Sequence, residues 1–180
     1  RSRWRAGRGR ARRPAARGAA ARMSTPSPLV LDTNIALDLL LFADPAAQPL
    51  ARALEAGAHR WLVTEAMREE FRRVLDYPQI APRCAYYGLD AAQLMARFDA
   101  HSHRVGAAPR APVVCRDADD QKFIDLAVAH RAVLLSKDRA VLATRRRLAA
   151  HGVVAARDYT SGFPEAAASI PPTPAAGGPA

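Results

Sequence analysis

Short apolar runs that alternate with helical segments constrain this fold more than any other feature of the sequence. The clearest runs, together with two weaker ones, predict strands at 29–31, 61–63, 113–115, 133–135 and 153–154. Strands separated by helices form parallel sheets, because a parallel partner needs a long crossover connection. The sequence therefore predicts an α/β fold with a central parallel sheet and helices on both faces. In such sheets, functional sites form at the carboxyl ends of the strands.

The predicted helices occupy the segments between these strands. Their expected positions are 34–43, 45–57, 65–76, 90–104, 119–130 and 139–150. Thr64 is a suitable N-cap for the third helix. Pro78 and Pro82 predict an irregular stretch between the third helix and the fourth.

The positive charge of the chain is concentrated at one end. Its 180 residues include 27 Lys and Arg against 17 Asp and Glu, a formal net charge of +10. Nine of the basic residues are arginines within positions 1–22, which contain no acid, and the other 18 nearly balance the 17 acids. An argument for nucleic-acid binding from net charge therefore rests on positions 1–22 alone. No apolar run reaches the ~18 residues of a membrane span, and two unpatterned cysteines suit the cytoplasm.

Both ends of the chain lack the periodicity of its centre. We predict a disordered basic leader at 1–27 and a disordered Pro- and Ala-rich tail at 161–180, which leaves one folded domain at 28–160. Three origins of the leader stay open: a nucleic-acid-binding arm, a targeting peptide, and translated upstream sequence before Met23. We favour the third, because no apolar segment follows the arginines and Met23 directly precedes the domain.

Four acids stand where a charge is costly unless it is bound. Asp32 directly follows the first strand, and Asp138 follows the 133–135 strand after two residues. Asp120 lies near the centre of the apolar stripe of its helix, and Glu70 borders such a stripe, whereas Glu69 faces solvent. The alternatives are helix capping for the three aspartates and an ion pair with Arg68 or Arg73 for the glutamate.

A parallel sheet would bring these four acids to one edge. Carboxylates packed together repel one another unless a cation compensates their charge. Oxygen-only ligands select hard ions such as Mg²⁺ or Mn²⁺. The main catalytic use of these ions is the transfer or hydrolysis of phosphate esters.

Four motifs in order along the chain resemble the PIN domain family. They are LDTNI at 31–35, EFRRVL at 70–75, RDADDQKFI at 116–124 and LSKD at 135–138. The resemblance extends over 29–159 and is closest to bacterial toxins of toxin–antitoxin systems (VapC-like ribonucleases). It implies a three-layer α/β/α fold and an Mg²⁺- or Mn²⁺-dependent endoribonuclease. The implied reaction is hydrolysis of RNA phosphodiester bonds by water, which leaves 5′-phosphate and 3′-hydroxyl ends.

The resemblance also implies a role for individual residues. The implied catalytic and metal-binding acids are Asp32, Glu70, Asp120 and Asp138. The implied supporting residues are Asn34, which would steady the first acid, Ser136, which would orient water or phosphate, and Asp117. Contacts with RNA phosphates are expected from Arg139, Arg145 and Arg146; the alternative for this run is a solvated helix face.

The implied partners are the RNA substrate, a cognate antitoxin protein and a second copy of the chain in a homodimer, with no membrane. Two other functions compete with this interpretation. A PIN-like scaffold would bind RNA or protein without cutting, and the four retained acids count against it. A phosphatase of the haloacid-dehalogenase type would need a second Asp at position 34, where this chain has Asn34.

Overall fold

The structure, a computed structural model, describes residues 25–164 of the chain. Its strands are β1 (Ser27–Leu31), β2 (His59–Val63), β3 (Ser102–Arg104), β4 (Val133–Leu135) and β5 (Ala155–Ala156). They form one sheet in the order β3-β2-β1-β4-β5, and every pairing is parallel. The predicted leader up to residue 24 and the predicted tail from residue 165 lie outside the described residues.

The helices connect these strands and cover the sheet. They are α1 (Thr33–Leu40), α2 (Gln48–Glu55), α3 (Glu65–Leu75), α4 (Ala81–Tyr86), α5 (Ala91–His101), α6 (Gln121–His130), α7 (Arg139–Leu142), α8 (Arg145–Ala149) and α9 (Tyr159–Gly162). A short 3-10 turn precedes α2. Among residues 25–164, every helix is too short or too polar to cross a bilayer.

The central strand β1 is buried on both of its faces. Leu29 and Val30 point to opposite faces of the sheet, and both are 0% exposed. Near-continuous apolar strands of this kind are typical of parallel sheets that carry helices on both faces. The observed architecture is therefore the predicted α/β/α arrangement of three layers.

Aromatic packing joins β2 to the helices that follow it. The rings of Trp61 and Phe98 meet edge to face with centroids 4.8 Å apart, and Phe98 stacks on Phe71 at 4.7 Å. All three side chains are buried. Because α3 and α5 are tied to the sheet in this way, the acidic residue on α3 has a defined position relative to β1.

The third strand is not where the sequence predicts it. Residues 102–104, expected at the end of a helix, leave the helical conformation at Ser102 and pair with Trp61, Leu62 and Val63 of β2. Residues 113–115, the expected strand, form no strand; Gln121 of α6 and Arg147 of α8 hold them by hydrogen bonds to the backbone. Pairing with the free edge of β2 satisfies backbone groups that the end of α5 would leave open.

Helix boundaries differ from the prediction at several points. The helix α4 forms in the stretch expected to be irregular, because Pro82 lies in its first turn, where the missing N–H is not needed. The segment 139–150 breaks into α7 and α8 beside Thr144, whose buried hydroxyl donates to the Val141 carbonyl at 2.7 Å. The last strand lies at 155–156, two residues later than expected.

Candidate active site

The carboxyl ends of β1 and β4 form the candidate site. β1 connects onward to β2 on one side and pairs with β4 on the other, so the strand order reverses between them. Asp32 continues β1, and its backbone N–H donates to the Leu135 carbonyl of β4 at 3.0 Å. Crevices at such reversal points are the usual binding sites of open α/β sheets.

Asp32 caps α1 and also faces the end of β4. One carboxylate oxygen accepts from the Ile35 backbone N–H at 2.8 Å, and the other accepts from that of Lys137 at 3.1 Å. The Ser136 hydroxyl adds a third hydrogen bond. Burial raises the pKa of Asp32, and these hydrogen bonds offset part of the rise. The capping alternative therefore holds for Asp32, but capping uses only one of its oxygens.

Asp138 also combines capping with a place at the site. Its side chain accepts from the Ala140 backbone N–H at 2.5 Å and caps α7. Its own backbone N–H donates to the Ser136 hydroxyl at 3.0 Å. Ser136 is 0% exposed and contacts both acids, so the two strand ends share one buried hydroxyl.

Asp120 differs from the other two aspartates because its side chain caps nothing. It occupies the N-cap position of α6, yet its carboxylate forms no capping hydrogen bond. Burial and the negative charges of Asp138, Asp117 and Asp32 raise its pKa to about 6, and the charge of Lys122 opposes the rise. Among the three aspartates, Asp120 thus has a carboxylate without a capping hydrogen bond, and its surroundings disfavour the negative charge.

The three aspartates have chemistry that suits a hard cation. Within the described residues, no salt bridge reaches Asp32, Asp120 or Asp138. In the same part of the chain, no three His, Cys, Asp or Glu side chains already form a group that could hold an ion. The donors are nevertheless all oxygen, and their mutual repulsion raises the pKa of Asp120 in spite of the nearby Lys122 charge. An all-oxygen donor set of this kind suits a hard divalent cation.

Glu70 lies at the same edge but already has two partners. The Thr33 hydroxyl donates to one carboxylate oxygen, and the Lys122 ammonium forms an ion pair with the other. The alternatives that the sequence left open, Arg68 and Arg73, do not hold it; Arg68 pairs with Asp99 at 2.7 Å. Glu70 is therefore connected through Thr33 to the start of α1, next to Asp32, and through Lys122 to the first turn of α6, close to Asp120.

The supporting residues predicted from the sequence have varied environments. Asp32 is held by Ile35, Ser136 and Lys137 rather than by Asn34, which is exposed beside a cleft. Asp117 is exposed and accepts from the Asp119 backbone N–H at 2.9 Å. The predicted RNA contacts, Arg139, Arg145 and Arg146, are all exposed on α7 and α8.

Sequence reasoning missed three residues that organise the site. Thr33 and Lys122 hold Glu70. Each lies within two positions of a predicted acid, and that proximity was the available signal. Gln121 is 2% exposed, and its side-chain oxygen accepts from the Cys115 backbone N–H at 2.7 Å. Its amide nitrogen donates to the Val113 carbonyl at 3.0 Å. An amide on the buried face of an apolar helix was the available signal.

A family comparison decides the identity of this fold. The family model described as PIN domain matches residues 28–140, which include all four predicted acids. The chain belongs to the PIN domain family. PIN domains are generally nucleases that use divalent metals. A search of curated proteins found no match.

The raised pKa of Asp120 predicts a specific pH dependence of stability for this PIN domain. The folded pKa of about 6 exceeds the ordinary value of 3.8, so the folded state binds the proton more tightly. The stabilisation is complete below about pH 4 and is lost as pH rises through about 6, a change of about 1–2 kcal/mol after allowance for solvent screening. In the absence of metal, the free energy of unfolding should fall between pH 4 and pH 7.5 by about 1–2 kcal/mol more for wild type than for Asp120→Asn. Urea unfolding in EDTA measures it, and equal losses in both proteins would contradict it.

Proposed function

We propose that this chain is an Mg²⁺- or Mn²⁺-dependent endoribonuclease and the toxin of a toxin–antitoxin pair. The observation that carries the nuclease proposal is the convergence of Asp32, Asp120 and Asp138 at one sheet edge, with no ion pair to any of them within the described residues, in a PIN domain. The toxin role rests on the resemblance of the four motifs to bacterial toxins. A cognate antitoxin, a homodimer and a cytoplasmic location belong to the same proposal, as does a nuclease domain at residues 28–160.

Each acid has a separate part in this proposal. Asp32 and Asp138 would hold the cation from fixed positions, since each is already oriented by backbone N–H groups and by Ser136. Asp120 would supply the third carboxylate. A bound divalent cation supplies polarisation of the phosphate and a more acidic water. Glu70 would join the acids after exchanging its Lys122 partner.

RNA would approach the site across α7 and α8. Arg139 directly follows Asp138, and Arg145 and Arg146 begin the next helix. All three are exposed, so their guanidinium groups are free to meet phosphates. Arginine forks suit the bidentate recognition of phosphate oxygens, which fixes the strand without reading its sequence.

One observation favours the alternative of a non-cutting PIN scaffold. The ion pair between Glu70 and Lys122 occupies the carboxylate of Glu70 with the Lys122 ammonium. An active enzyme would use this fourth acid to bind the metal. A scaffold would keep this pair and bind metal weakly. The three aspartates count against that function, because a scaffold gains nothing from their repulsion.

Cleavage of labelled single-stranded RNA by the purified chain tests the nuclease proposal. We expect cutting with Mn²⁺ or Mg²⁺, none with EDTA, and fragments that carry 5′-phosphate ends. The fragments should be ligatable without prior phosphorylation. This property separates them from the products of most contaminating ribonucleases, which do not carry a 5′-phosphate. A folded protein that binds Mn²⁺ but never cuts RNAs of varied sequence would support the scaffold instead.

Replacing Lys122 should strengthen metal binding. In Lys122→Met, the site loses one positive charge and Glu70 loses its competing partner, so Mn²⁺ affinity should rise about 3- to 10-fold. Calorimetry on the metal-free proteins measures the change. Arg72→Met is the matched control, because it also removes one positive charge, and the Arg72 guanidinium pairs with Glu69 at 2.7 Å on the exposed side of α3. An unchanged affinity in Lys122→Met would show that Glu70 does not reach the metal.

A further inference from the structure

A cleft of about 480 Å³ opens beside Glu70. Its walls come from the first turns of α1, the second half of α3, the segment between α3 and α4, and the start of α6 with the preceding Asp119. The polar residues that line it include Asn34, Glu70, Arg73, Tyr77, Gln79 and Lys122. The volume lies within the range of about 300–1,000 Å³ that is usual for small-ligand sites. One wall of the cleft is therefore shared with the candidate active site.

The outer wall of the cleft carries groups without a structural task. Tyr77 is 44% exposed, and Asn34, Arg73 and Gln79 are also exposed. Among the side-chain hydrogen bonds and salt bridges of residues 25–164, none involves these four side chains. By contrast, Arg68 and Arg72 on the same helix are both engaged with carboxylates. The cleft thus presents an aromatic ring, two amides and a guanidinium, all unused.

We propose that this cleft binds the base of a nucleotide next to the scissile phosphate and sets the sequence preference of cleavage. The proposal rests on the nuclease function proposed above. An unstacked base of single-stranded RNA stacks on exposed aromatic rings such as Tyr77. Side-chain amides carry both a donor and an acceptor, so Asn34 and Gln79 can read the polar edge of a base. Arg73 is placed to contact the adjoining phosphate.

The charge of the cleft supports a neutral ring rather than a second phosphate at its floor. Glu70 and Lys122 form an ion pair there, and the other two charged residues of the lining, Arg73 and Asp119, are of opposite sign, so the cleft carries little net charge. Leu37, Val74 and Ile80 add apolar lining. A flat, uncharged base with a polar edge matches this combination, whereas the phosphates would lie at Arg73 and at a cation held by the acids.

Cleavage of a random-sequence RNA pool tests the proposal. Sequencing of the fragment ends gives the base preference at each position around the cut. We expect Tyr77→Ala to slow cleavage about tenfold and Gln79→Ala to flatten the preference at one position. Matched controls are Tyr86→Ala, a residue 84% exposed and outside the cleft, and Gln48→Ala, exposed at the start of α2. Both controls should leave rate and preference unchanged.

A binding arm separates this proposal from the nuclease proposal. Labelled random RNA is titrated into Asp120→Asn protein with and without Tyr77→Ala, in Mg²⁺, and anisotropy reports affinity. Tyr77→Ala should weaken binding about tenfold and Tyr86→Ala should not. Cutting with unchanged preference in both cleft variants would overturn the base site and leave the nuclease intact. If wild type never cuts, the nuclease proposal fails, and the binding experiment alone then tests the base site. Equal RNA affinity of the Tyr77→Ala and Tyr86→Ala proteins would overturn the base site.

Discussion

Asp120→Asn is expected to abolish metal-dependent RNA cleavage while leaving the fold intact. The substitution keeps the size of the side chain but removes one of three charges that would hold the cation. Loss of a preorganised charge-stabilising group costs about 10²–10³-fold in rate. The fold should survive because the carboxylate of Asp120 caps nothing and is repelled by its neighbours. Cleavage rates with Mn²⁺, beside circular dichroism and thermal unfolding, measure both parts.

The control for Asp120→Asn is the loss of an acid outside the site. Glu69→Gln also removes one negative charge, but Glu69 pairs with Arg72 on the exposed side of α3 at 2.7 Å. Its cleavage rate should equal that of wild type. Glu70→Gln, one position later, should instead lower the rate. Full activity in Asp120→Asn would contradict the proposed site, and equal loss in Glu69→Gln would point to a general charge effect.

Gln121→Leu is expected to destabilise the protein by about 2–4 kcal/mol, since it strands buried polar groups that lose their partners. The leucine fills a similar volume but cannot bond the Cys115 N–H, the Val113 carbonyl or Asp125. Asp125 would keep only its bond from the Ala111 backbone N–H, at 2.9 Å. The segment 111–116 that leads into Asp120 would then lose its main attachment to α6.

Urea unfolding of both proteins measures the effect of Gln121→Leu. Gln48→Leu serves as the control, because Gln48 is exposed and its side chain holds no buried group. A change within about 0.5 kcal/mol, as is usual for surface substitutions, would show that the segment is held by other contacts. Loosening of this segment should also lower cleavage, since it sets the position of the first residues of α6.

Several features of the site could be predicted because they depend on local pattern. The apolar runs 29–31 and 133–135 predict two buried strands, which the structure places side by side as β1 and β4. Parallel pairing then requires Asp32 and Asp138 to emerge at one edge. Asp120 was predicted from its place on the apolar stripe of a helix expected at 119–130, and it stands as the N-cap residue of α6. In each case a period of two or of 3.6 residues decides which side of an element faces the core.

Other features depend on contacts between residues far apart in the chain. Lys122 and Glu70 are 52 positions apart, and Thr33 and Glu70 are 37 apart. Nothing in a local period indicates that a lysine of α6 reaches α3. The same limit applies to β3, which exists because β2 offers a free edge, and to 113–115, which Gln121 holds as a loop.

The sequence by itself determined the alternation of strands and helices, the parallel sheet and the positions of Asp32 and Asp138 directly or shortly after apolar strands. These follow from burial, since an apolar strand between two helices can only be buried inside such a sheet. Only the tertiary structure decided that Lys122 neutralises Glu70, that Ser136 joins Asp32 to Asp138, and that a cleft opens beside them. Those features arise from side chains brought together by chain folding, and their partners are chosen by distance in space rather than by spacing along the chain.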